Sequence, residues 1–247
     1  MLLLLLSFLA DKLESRHMSG CKEISQDMGE VFRLDAAAKG QEVCVGGWLS
    51  AGGRPTKQAP WFSIELTRVN APWAFARGEP FRTIASLELL GSLLSVMVLL
   101  PVDTFDRSAP SSGLVTIGGF TDNQGNAFLV DKLMTTKYPL GVVLVELCHQ
   151  LQLRNASLRA QWVPRLQNEE ADALTNGDFR HFDLERRVEV DLERLPFGVL
   201  PALFDQGEAF VAEVAAMKAA AKAAPAEHAA KRKRLAGGTL RERQPWT

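Results

Sequence analysis

Residues 114–122 read Leu-Val-Thr-Ile-Gly-Gly-Phe-Thr-Asp. A short run this apolar, closed by a charge, predicts a strand over 114–121 buried on both of its faces. Such a strand belongs in the middle of an α/β sheet, beside a parallel neighbour and under helices. Asp122 then stands just past its C-terminal end, where open sheets of this kind build their sites. Upstream lie three β-rich stretches, at 31–35, 42–50 and 61–68, close enough in sequence for an antiparallel meander. The first is read as ending at Asp35, with 36–40 as a turn.

An apolar helix is expected over 83–100, stopped by Pro101. Downstream, helices are expected over 126–134 and 139–152, a fifth strand over 157–163 and a helix starting at 168. The order β-β-β-α-β-α-α-β-α gives an α/β fold. Its sheet is mixed and five-stranded, three strands antiparallel and the later ones parallel, with helices on both faces. Around it we expect a helical segment over 1–28, the main domain over 29–180, a helical extension over 181–224 and a basic disordered tail over 225–247.

Composition sets the bounds. The chain has 247 residues, 47% apolar and 23% charged, which is ordinary for a globular protein. Its net charge of -1 conceals an asymmetry: from Lys218 onward eight Lys/Arg face two acidic residues. An acidic body with a basic end suits a protein that gathers cations in one place and touches polyanions with another. A solvated tail explains the same charge. The three cysteines form no paired motif, so neither a disulfide framework nor a zinc site is expected. The apolar N-terminus lacks the basic flank and cleavage site of a secretory signal, and Glu88, Gly91 and serines interrupt the other apolar stretch. We therefore expect an intracellular protein, nuclear or cytoplasmic, with no membrane partner.

Four acids fall at telling places: Asp35, Glu88, Asp122 and Asp172. Glu88 is the only charge between Thr83 and Leu100, and no Lys or Arg lies one helical turn away. An unpaired buried carboxylate costs several kcal/mol, so something must compensate. Its turn neighbours Ala85, Gly91 and Ser92 are small, which lets the helix approach the strand ends closely. A divalent cation shared with Asp35 and Asp122 would resolve the cost. Oxygen-only ligands select Mg²⁺ or Mn²⁺, and two such ions suit in-line phosphodiester hydrolysis. Taken singly, each acid is as well explained as a cap or surface group; Asp172, for example, suits the first turn of a helix.

The residues also carry a resemblance. Asp35-Ala36-Ala37 with Gly46-Gly47-Trp48 resembles the first hairpin of ribonuclease H domains. Leu87-Glu88-Leu89-Leu90 resembles their helix motif, and Thr121-Asp122-Asn123-Gln124 their segment at the end of the fourth strand. Trp162-Val163-Pro164-Arg165 with Asn168-Glu169-Glu170-Ala171-Asp172-Ala173-Leu174 resembles the closing segment of retroelement versions. The match spans roughly residues 31–178. It implies a ribonuclease H-like fold, with Asp35, Glu88, Asp122 and Asp172 as catalytic residues holding two Mg²⁺ or Mn²⁺ ions. The implied substrate is the RNA strand of an RNA–DNA hybrid. A reverse transcriptase domain is an implied partner.

Asn123, Gln124, Arg165 and Asn168 flank the acids and are candidate nucleic-acid contacts, reading sugar hydroxyls or holding a phosphate. Asn123 and Asn126 equally suit capping. Two departures stand out. No histidine occupies 164–167, where many members carry one, and the gaps of 53 and 34 residues between the first three acids are long for the family. Insertions at 52–58 and 102–112 would explain the gaps as surface loops. Trp48, Trp61, Trp73 and Trp162 are expected in the core, and His149 as a satisfied core residue. The run Lys231–Arg234 is a candidate nucleic-acid patch. A 3′–5′ exonuclease would want Glu two residues after Asp35, where Ala37 stands. A catalytically inactive ribonuclease H-like nucleic-acid-binding module is the remaining alternative.

Overall fold

The computed structural model describes residues 24–75, 78–102, 114–135 and 137–201, with residue 10 and scattered positions between 209 and 220. Most of the expected N-terminal helical segment, the basic tail and most of the 102–112 insertion lie outside the described residues. The chain divides into two units, Met1–Phe210 and Val211–Thr247. In the second unit, the described residues between 212 and 220 are helical.

The first unit is built on a five-stranded sheet: β1 (Ile24–Lys39), β2 (Glu42–Leu49), β3 (Trp61–Leu66), β4 (Leu114–Thr121) and β5 (Ala156–Trp162), in the order β3-β2-β1-β4-β5. β1 pairs antiparallel with β2, and β2 with β3, while β4 runs parallel to both β1 and β5. Among the described residues, a single helical turn at Pro72–Phe75 and four longer helices accompany it: α1 (Ile84–Leu94, continued by a wider π turn at Ser95–Leu99), α2 (Gln124–Lys132), α3 (Leu140–Leu153) and α4 (Glu169–Thr175). This is the mixed α/β architecture expected from the sequence.

β1 corrects the expected bounds at both ends: it starts at Ile24, so residues 24–28 are strand and not part of a helical segment, and the strand runs past 35. It does not turn after Asp35 but continues through Ala36, Ala37 and Ala38, paired with Val45, Cys44 and Val43. Alanine has weak strand preference, and here the β2 ladder overrides it. The turn falls instead at Gly40-Gln41, where Gly40 takes a left-handed φ of 59°. Asp35 is therefore inside a strand.

Glycines show where the layers close up. A Cβ on Gly91 of α1 would lie 3.0 Å from Leu34 Cδ1 and 3.2 Å from Val45 Cγ1. A Cβ on Gly46 would lie 2.7 Å from Leu174 Cβ of α4. Val45 and Gly46 are consecutive on β2 and so point to opposite faces. Hence α1 covers one face and α4 the other. α1 is buried on every side from Ser86 to Leu94, because it lies between the sheet and α3. Pro80–Leu99 is long and apolar enough to cross a membrane, yet 78% of that window is buried inside the protein, as a core helix would be.

Trp48, Trp61 and Trp73 are buried as expected, but Trp162 is 49% exposed. It ends β5, the edge strand of the described sheet, and its Nε1–H donates to Asp122 O at 3.0 Å. The chain after α4 is stitched back onto the sheet. Trp61 Nε1–H donates to Asp183 O, Val188 N–H to Trp61 O, and Lys57 Nζ to Arg180 O and Phe182 O. Further on, the buried Glu146 carboxylate of α3 accepts the N–H groups of Gly198, Val199 and Leu200.

Candidate active site

The strand register brings the first two acids together. Arg33 of β1 pairs with Phe120 of the parallel β4. Asp35 lies two residues further along β1, and Asp122 comes two residues after Phe120, just past the end of β4, so the register carries both acids to the same edge of the sheet. β4 stops at Thr121 while β1 runs on, which leaves space at Asp35 that no strand fills on that side. Glu88 arrives from α1. The close seat of Gly91 on Leu34 and Val45 holds α1 against the sheet one turn after Glu88. The Asn126 side-chain amide donates to Ala85 O at 2.8 Å and fixes the first turn of α1 to α2. Asp35, Glu88 and Asp122 thereby each offer an oxygen within 4.8 Å of the others.

Burial makes this grouping costly. Asp35 and Glu88 are each 5% exposed. Among the described residues, no Lys or Arg forms an ion pair with either, or with Asp122. What they have instead are two hydroxyls, Thr175 Oγ1 at 2.7 Å from Asp35 Oδ2 and Thr121 Oγ1 at 3.1 Å from Glu88 Oε2, and the backbone N–H of Ala36, which favours the charged form of both. These do not offset the loss of water. Desolvation, then the charges of Asp35 and Asp122, push the Glu88 carboxyl up to about 9. Desolvation likewise raises Asp35, with Asp122 and Asp172 adding repulsion. Asp122 is raised by burial, which the charge of Arg165 partly counters.

Asp172 is on α4 and close enough for its charge to act on Asp35 and Asp122, but its oxygens are not in the three-acid group. Arg165 forms an ion pair with its Oδ1, and the Asn176 amide donates to its Oδ2 at 2.9 Å. Of the four expected acids, three converge and the fourth stands at the rim.

The candidate contacts divide. Gln124 is exposed beside Asp122, and Arg165 is exposed above Asp172. Asn123 caps α2, its side chain accepting the Asn126 N–H at 3.1 Å. Asn168 is only 1% exposed and donates to Leu34 O at 2.8 Å, so it pins β1 next to Asp35 instead of facing solvent. The sequence reading missed Thr121, Thr175 and Asn176. Thr121 and Thr175 sit one residue before Asp122 and three after Asp172, and only the folded contacts mark them out.

No family model matches this chain, and no curated protein matches its sequence. Among solved structures, the RNase H1 of the halophilic archaeon Halobacterium salinarum NRC-1 is similar, at 19% identity and a TM-score of 0.40. The similarity covers 62% of this chain and 98% of that one. The fold itself rests on the strand order and register described above.

Proposed function

We propose that this protein is a divalent-metal-dependent nuclease of the ribonuclease H type, which hydrolyses the RNA strand of RNA–DNA hybrids. One observation carries the reading: three carboxylates from three separate parts of the chain converge within 4.8 Å, and among the described residues no Lys or Arg is ion-paired to them. The donor set fits the implied ion. All donors are hard oxygens, two are buried, and their mutual repulsion is of the kind a divalent cation relieves. Asp35, Glu88 and Asp122 would hold it, with Asp172 at the edge of a second position. Bound there, Mg²⁺ supplies an activated water and stabilisation of the leaving oxygen.

The chain's own residues supply the rest. Thr121 and Thr175 orient Glu88 and Asp35. Arg165 and Gln124 are exposed beside the acids, where they would meet a phosphate and a sugar edge. The retroelement origin and a reverse transcriptase partner are supported by the closing motif at 162–174 alone.

The experiment is cleavage of a labelled RNA–DNA hybrid in Mg²⁺, beside Asp122→Asn. The expected result is cleavage by the natural chain and a loss of at least about 100-fold in the variant. Hybrid binding without cleavage by the natural chain would support an inactive binding module instead.

A further inference from the structure

Arg165 is placed to do more than touch substrate. Among the described residues its guanidinium bonds only to Asp172, from one nitrogen to Oδ1, and its side chain is 71% exposed. It sits in the field of the whole acidic group: the charges of Asp172, Asp35 and Asp122 all favour its cationic form. The other oxygen of Asp172 is engaged by Asn176, and its backbone carbonyl lies 3.0 Å from the Thr175 hydroxyl that also reaches Asp35. The Asp172 carboxylate is therefore held at the rim by one cation and one amide. An exposed cation contacting one oxygen can let go without opening the core.

We propose that Arg165 is a built-in counter-cation, a positioning residue that holds Asp172 away from the buried acids and must be displaced before a second divalent ion binds there. The proposal rests on the reading of Asp35, Glu88 and Asp122 as a metal centre, and adds that the centre fills in two unequal steps. The first ion goes to the buried triad. The second competes with a positive charge already in place. A monovalent guanidinium in the same field both occupies a ligand and repels an incoming cation, so its removal favours the second ion. Because the pair is exposed, salt screens it, and the difference shrinks as ionic strength rises.

The test is Mn²⁺ binding to the full chain, followed by electron paramagnetic resonance of free Mn²⁺ and by calorimetry, without nucleic acid. The natural chain is expected to bind one ion tightly and a second weakly. In Arg165→Ala the second ion binds about fivefold more tightly at low salt while the first is little changed. Arg165→Gln repeats the result with a polar side chain of similar reach. Asp172→Asn loses the second step, and in Arg165→Ala/Asp172→Asn the gain disappears. A second step that is unchanged or weaker in Arg165→Ala, or a single ion in every variant, overturns the role given to Arg165 while leaving the metal centre standing. Failure of the first step, with Mn²⁺ indifferent to Glu88→Gln, overturns the metal centre and this proposal with it.

Discussion

Thr121 Oγ1 lies 3.1 Å from Glu88 Oε2 and also accepts the Asn123 backbone N–H at 3.1 Å. One hydroxyl at the end of β4 thus joins the buried acid of α1 to the start of α2. Thr121→Val keeps the shape and removes the hydroxyl. It leaves the Asn123 N–H and a buried carboxyl oxygen without their partner. The expected cost is about 1–3 kcal/mol, measured by urea denaturation in chelator.

Glu88 gives the protein a pH dependence of predictable sign. Its folded pKa is about 9 against an ordinary value of 4.5. Between those values the native state holds a proton that the unfolded chain has lost, so stability falls as pH rises. Each pH unit costs about 1.4 kcal/mol at most. Without divalent ions, Tm should fall steadily from pH 5 to pH 9. Glu88→Gln should flatten that slope and melt higher than the natural chain at pH 8. Saturating Mg²⁺ should restore the natural chain at pH 8 and do little for the variant.

How much of this was legible beforehand depends on range. The spans of β2, β3 and β4 follow from local pattern, since a strand's alternation or an unbroken apolar run needs no distant partner to be seen. The end of β1 was misplaced because Ala36, Ala37 and Ala38 carry no strand signal of their own; only Val45, Cys44 and Val43 across the ladder make them β. Trp162 was misassigned because nothing local says that β5 is the edge. The convergence of Asp35, Glu88 and Asp122 was readable from one anomaly, a lone charge in an apolar helix. Glu146 is the same anomaly with another answer. It lies in an apolar helix and is fully buried, but its partners are the Gln150 side-chain amide and backbone N–H groups at 198–200.

That contrast makes a control. Glu146→Ala strips a buried acceptor from three successive N–H groups and should cost about 2–4 kcal/mol. Mn²⁺ affinity, measured where the variant remains folded, should not change. A loss of metal binding would mean that Glu146 belongs with the acidic centre.

Gly46→Ala probes how α4 reaches the site. The added Cβ would fall 2.7 Å from Leu174 Cβ, so α4 must move outward. The Thr175 hydroxyl, at 2.7 Å from Asp35, moves with it. Denaturation should show a cost of about 1–3 kcal/mol. The second Mn²⁺ step should weaken more than the first, because Asp172 is carried on α4 while the triad is not.

The most direct measurement is a crystal of the full chain soaked in Mn²⁺ and read by anomalous scattering. A peak bounded by one oxygen each of Asp35, Glu88 and Asp122, at about 2.0–2.3 Å from each, is the expected result. Saturating Mn²⁺ with no peak among those three carboxylates, or with peaks only elsewhere, contradicts the account.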